Sequence, residues 1–164
     1  MRSTGLIAAF ILVAASVSAC RQGDGPVPTP NAVVQEELVD VRRDLENAAS
    51  NNPDAPEELA RDLRKYVIRP SATPAVDELS RRTARVLPQT KLTEQSAQQL
   101  AHNLWVTVSA RELSERQVES LQNDVQSLLM SVGVAEQNAQ QVAAQVGDVQ
   151  RAVGDRPRRW YELF

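Results

Sequence analysis

The chain has 164 residues, with 18 Lys and Arg against 21 Asp and Glu, a formal net charge of −3, one cysteine and one histidine. A charge balance this even gives no basic face for nucleic acid. A single cysteine excludes an intramolecular disulfide, and His102 alone assembles neither a His-rich metal site nor a Cys/His pair, so no metal site is expected.

In chain order, Arg2 is followed by about a dozen mostly apolar residues from Gly5 to Val17, then by small residues and Cys20, which is signal-peptide anatomy. The run falls short of the roughly 20 apolar residues a spanning helix needs. Val17-Ser18-Ala19-Cys20 resembles the lipobox of bacterial lipoprotein precursors: an aliphatic residue, two small ones and a cysteine. The resemblance covers residues 1–20. It implies cleavage between Ala19 and Cys20, a thioether-linked diacylglycerol on the Cys20 sulfur, a third acyl chain on the new amino terminus, and no cofactor besides this covalent lipid. Val17 stands where the family most often has Leu. Arg21 stands where Asp signals inner-membrane retention in the enterobacterial members, so the implied location is the bacterial outer membrane, facing the periplasm. Several acyl chains also suit stable anchoring, since one chain alone binds only marginally.

Beyond residue 19 the balance is 17 basic against 21 acidic residues, a size that suits one domain. Five aromatics remain, Tyr66, Trp105, Trp160, Tyr161 and Phe164, so a core must be built from Leu, Val and Ala, which favours packed helices over a β-sandwich or a nucleotide-binding α/β domain. Residues 20–32 hold the acylated cysteine and a stretch with Gly23, Gly25, Pro26, Pro28 and Pro30. This stretch reads as a tether of about 35 Å in extended form, or as an unordered remnant without a spacing role.

The helical domain is expected over 33–154. From Val33 the apolar residues Val34, Leu38, Val41, Leu45 and Ala48 recur in steps of four and three, and the run Ser50-Asn51-Asn52-Pro53 stops them. A second helix is expected from Pro56 to Ile68, with Glu57 and Glu58 at its positive end and Leu59, Leu63 and Val67 inward. A third opens at Thr73-Pro74, a cap followed by an N1 proline, and buries Val76, Leu79, Val86 and Leu87. Thr83 interrupts its seam.

From Leu92 the sequence repeats with a period of 21 residues, over 92–112, 113–133 and 134–154. Leu92, Leu113 and Val134 align, as do Leu100, Leu121 and Val142, and Leu104, Val125 and Val146. A repeat of this length is a supersecondary unit, here one helix per copy. In the second copy Ser114 and Gln117 form a capping box, Leu113 and Val118 a hydrophobic staple, and Gly133 a C′ stop. Because 21 is three heptads, the apolar phase runs through all copies, so a continuous rod over 93–153, about 90 Å long, competes with separate helices. Polar Thr107, Arg111 and Ser114 at the first junction and Gly133 at the second favour separate helices. The fold class expected is an all-α antiparallel bundle of five to six helices after a signal peptide and flexible tether.

Residues 155–164 form a basic, aromatic tail in which Arg158, Arg159, Trp160, Tyr161 and Phe164 are of the types enriched at interface hot spots. They suit a partner surface, a membrane interface, or a tail folded back over the bundle. No Gly-rich phosphate loop, nucleophile elbow or strand pattern to hold one is present, and adjacent carboxylates such as Glu36/Glu37 point different ways on a helix. The chain is therefore expected to have no catalytic residues: a non-enzymatic interaction or scaffold module with a membrane anchor, an envelope protein partner and no nucleic acid. Leu113-Ser114-Glu115-Arg116-Gln117 also resembles the LTxxQ element of Spy-like periplasmic stress chaperones, which implies ATP-independent holdase or stress-sensor activity. The rod implies instead an oligomeric structural coiled coil.

Overall fold

The computed structural model describes residues 35, 36 and 38–154. They form six helices: α1 (Val39–Ala49), α2 (Ala55–Arg64), α3 (Thr73–Val86), α4 (Glu94–Ser109), α5 (Glu115–Ser131) and α6 (Glu136–Gly154), with a 3₁₀ turn, Pro70–Ala72, before α3. The fold is an all-α bundle, as the sequence pattern predicts. Consecutive helices turn back on one another. Lys65 lies beside Asp40 between α1 and α2, and Arg64 and Arg81 reach Asp77 and Glu57 between α2 and α3.

Each helix ends for a local reason. At the end of α1, Asn51 takes a positive φ of 61°, the Asn51 N–H donates to Ala48 and the Asn52 N–H to Asn47; this is the Schellman arrangement, with asparagine in the left-handed place. Gly133 does the same after α5 at φ 104°. Its N–H donates to Met130 O and that of Val134 to Leu129 O, and the buried Val134 and Leu129 side chains close the stop.

Two expected starts and ends move. Helix α2 stops at Arg64 rather than Ile68: Lys65, Tyr66 and Val67 wind with three-residue bonds to Asp62, Leu63 and Arg64, and Arg69 is extended, as a residue before proline must be. Val67 is half-buried, while Ile68 is 40% exposed. At α3, Thr73 is already helical and caps nothing; the 3₁₀ turn leads straight into the helix, with Ala72 in the cap position.

The three repeats become three separate helices, so 93–153 is not a rod. Leu100, Leu121 and Val142 are all buried, and so are Leu104, Val125 and Val146, so the 21-residue phase survives as three inward stripes. The first junction breaks without Gly or Pro because Ala110 turns extended and Ser114 opens a new helix. There the Ser114 N–H donates to Gln117 Oε1 at 2.9 Å and the Gln117 N–H to Ser114 Oγ at 3.4 Å, completing the expected capping box. Leu113 packs on the core. Helix α4 has a box of its own in which Ser96 takes the part of the glutamine: its N–H donates to Thr93 Oγ1 at 3.2 Å, and the Thr93 N–H donates to Ser96 Oγ at 2.8 Å.

Helix α4 is the central element. It touches α1, α2, α5 and α6, and Ala97, Leu100, Ala101, Leu104, Val106 and Val108 are buried around most of its circumference, the pattern of a helix enclosed by others. Helix α5 is peripheral: it packs chiefly on α6 and buries only Leu121, Val125 and Leu129. Gln122 bridges the two by donating to Ala143 O at 2.9 Å, and it lies over Gly147, where a Cβ would stand 2.7 Å from its amide nitrogen.

The third repeat lacks what the first two have at their starts. Thr93 and Ser114 cap α4 and α5, whereas the aligned residue before α6 is Ala135, whose carbonyl accepts the first helical bond from Ala139 but which has no side-chain acceptor. Ala135→Ser is expected to raise stability by about 1 kcal/mol, read as a higher urea midpoint at unchanged slope; an unchanged midpoint would show the N-terminal amides of α6 already satisfied.

Candidate functional site

The residues singled out from the sequence for lipidation, cleavage and partner binding, Ala19, Cys20, Arg158, Arg159, Trp160, Tyr161 and Phe164, lie outside the described residues. Within them, no group of His, Cys, Asp and Glu is placed to hold a metal ion, and no helix is long and apolar enough to cross a membrane. His102 is half-buried on α4, its ring tilted against Trp105 with centroids 6.1 Å apart. Burial holds its pKa below the ordinary value, so the ring is a neutral packing group at neutral pH.

The most unusual chemistry sits where α1 crosses α2. Asp44 is 5% exposed and Asp62 4% exposed, although aspartate is among the residues least often buried without a partner. The two carboxyl groups have unequal surroundings. Asp62 Oδ1 accepts from Lys65 Nζ at 3.0 Å and from Arg61 Nε at 3.2 Å. Burial pushes its pKa upward, but these two cations outweigh that and hold it below the ordinary carboxylate value. Asp44 has no such cation in bonding range, and its Oδ2 is buried without a donor. Burial first, then the negative charges of Asp62 and Glu58, push its pKa up to about 7, against a weaker lowering by Arg61.

Two buried acids with cations bonded to only one of them favour a single proton held between the pair. As a carboxylate, Asp44 would be a buried charge whose Oδ2 has nothing to bond; as a carboxylic acid the side chain can donate, and Asp62 is the side chain it bonds. Both carboxyl groups are covered within a helix contact, and their chemistry is that of a titrating contact between helices. The sequence carries a trace of it. Asp44 immediately precedes the inward Leu45, and Asp62 the inward Leu63, so each acid stands beside the apolar stripe rather than opposite it. Periodicity alone does not distinguish a solvated flank from one covered by the neighbouring helix.

A second buried polar group acts on the bundle itself. Gln150 of α6, 6% exposed, donates through Nε2 to Thr107 O at 2.5 Å and to Ala110 O at 3.3 Å, satisfying carbonyls that the end of α4 leaves open. Thr107 turns its own hydroxyl to Asn103 O at 2.7 Å, so this polar interruption of the apolar phase is buried and bonded. No protein-family profile, curated protein or solved structure matches the chain.

Proposed function

We propose that this chain is a bacterial envelope lipoprotein, anchored through acylated Cys20 and acting as a non-enzymatic helical module that engages another envelope protein. The observation that carries the reading is Val17-Ser18-Ala19-Cys20 after an apolar run of signal length, with the only cysteine of the chain at the acceptor position. A Pro- and Gly-rich stretch separates that cysteine from the helical bundle. The bundle supports an interaction role in a limited sense: it spends its apolar stripes on its own core and leaves the outer faces of α5 and α6 mostly polar, with Glu115, Glu119, Asn123, Asp124, Gln137 and Gln140 exposed beside Met130. Such a surface binds through polar and tail contacts rather than through a broad apolar patch. Outer-membrane placement rests on Arg21 in the position after the cysteine.

Replacing Cys20 by Ala is the direct test. The wild-type chain is expected to take up labelled palmitate in a bacterial host and to pellet with membranes, and Cys20→Ala to lose the label completely. Equal labelling and membrane retention in the variant would overturn the anchor. The partner role is tested separately by proximity labelling from the anchored chain. Deleting residues 156–164, which include Arg158, Arg159, Trp160, Tyr161 and Phe164, is expected to remove one specific neighbour, and an unchanged set of neighbours would take the tail out of the interaction.

A further inference from the structure

We infer that the α1–α2 contact is a proton-dependent latch, closed when Asp44 carries the proton it shares with Asp62 and loosened when that proton is lost, so that α1 alone opens from the bundle as pH rises.

The geometry supplies the asymmetry. Both carboxyl groups are more than nine-tenths buried on facing helices, and Arg61 and Lys65 are both bonded to Asp62. The other charges around the contact are committed elsewhere. On α1, Asp40 pairs with Arg43 at 3.4 Å and approaches Lys65 at 3.9 Å, and Arg42 bonds Glu94 of α4 at 2.6 Å and lies 3.6 Å from Glu46. On α2, Glu58 adds negative charge near Asp44, Arg64 is bonded to Asp77 of α3, and Glu57 faces Arg81 of α3. Tyr66 acts on Lys65, and His102 of α4 packs on Trp105. Release of the Asp44 proton therefore places a second buried negative charge beside Asp62 with no further cation in bonding range.

The sign follows from which state binds the proton more tightly. Asp44 ionises near the ordinary value of 3.8 when exposed and near 7 when enclosed, so the closed state holds its proton across that interval and the open state does not. Closure is strongest below the lower value and weakens as pH rises toward the upper one. Asp62 has the opposite sign: its depressed pKa favours the closed state above the ordinary value, and that contribution is lost only as pH falls below it. The windows do not overlap, and the lowered pKa of His102 makes its contribution grow as pH rises, so a loosening between pH 5 and pH 8 belongs to Asp44. Opening α1 would uncover the apolar surfaces of α2 and α4 against which Val41, Leu45 and Ala48 pack.

Hydrogen exchange on the full chain, corrected for the intrinsic pH dependence of exchange, tests the latch. Protection of the amides of residues 41–48 is expected to fall about tenfold or more from pH 5 to pH 8, while that of residues 121–129 and 142–149 stays level. Asp44→Asn, which keeps the size and can donate to Asp62, is expected to remove the dependence and hold α1 protected throughout. Should the variant fail to fold, the carboxyl carbon resonance of Asp44 in the wild-type chain, assigned by its through-bond link to the Asp44 amide, decides the matter: a midpoint well above 5 supports the latch, and one near 4 overturns it. Protection of residues 41–48 that is independent of pH, a dependence retained by Asp44→Asn, or an equal loss across all six helices would each overturn it as well.

Discussion

Leu104→Ala is expected to cost about 3–5 kcal/mol, enough to remove a large share of the stability of a domain this size. Leu104 is fully buried in the helix that α1, α2, α5 and α6 all touch. A cavity there cannot be filled by the shift of one neighbour, because several helices would have to move toward α4 together. Urea denaturation followed by helical circular dichroism measures the loss, and Leu92→Ala, at a half-buried position before the same helix, is the control, expected to cost about 1 kcal/mol. A loss at Leu104 no larger than at Leu92 would mean that α4 is not the enclosed element.

Gln150→Glu is expected to be nearly as damaging at pH 8, at about 3–5 kcal/mol. The substitution exchanges a buried donor for a carboxylate facing two carbonyl oxygens, those of Thr107 and Ala110. The cost has a pH signature. The buried carboxyl has a folded-state pKa above its unfolded value, so the penalty is absent below the unfolded value and grows as pH rises through that interval. Near pH 4 the protonated acid can donate to Thr107 O in place of the amide, and the variant approaches the wild type measured at the same pH. Gln150→Leu, neutral at every pH, is expected to cost about 1–3 kcal/mol throughout, the penalty of unsatisfied carbonyls. Wild-type stability of Gln150→Glu at pH 8 would show that water or another donor reaches the end of α4.

The bundle was legible because its signals are local and redundant. The 21-residue phase placed Leu100, Leu121 and Val142 in three stripes, Ser114 with Gln117 gave a start, and Gly133 gave a stop; the start and the stop are each read within one turn, and the stripes from a spacing that recurs along the chain. Where the expectation failed, a neighbouring turn was involved. Thr73 looks like a cap in isolation, but the Pro70–Ala72 turn already delivers the chain in helical conformation. The pattern of α2 runs on to Ile68 until Pro70 acts backward on Arg69.

The candidate sites divide along the same line. Val17-Ser18-Ala19-Cys20 is a contiguous element, and its reading owes nothing to the fold. The Asp44–Asp62 pair and the Gln150 cap are the reverse. Leu129 and Val108 are the repeat equivalents of Gln150, so by phase alone that position is apolar core. It holds an amide because α6 passes the open end of α4, where Thr107 and Ala110 present carbonyls that no residue of their own helix can reach.

By itself, then, the sequence determined the helices, their inward stripes and most of their ends, because hydrophobic period, capping and turn chemistry act over a few residues. Only the tertiary structure decided which polar residues became enclosed. Burial of Asp44, Asp62 and Gln150 is set by what the neighbouring helix covers, and a carboxyl or amide changes its proton affinity and its bonding only once that cover has taken away water.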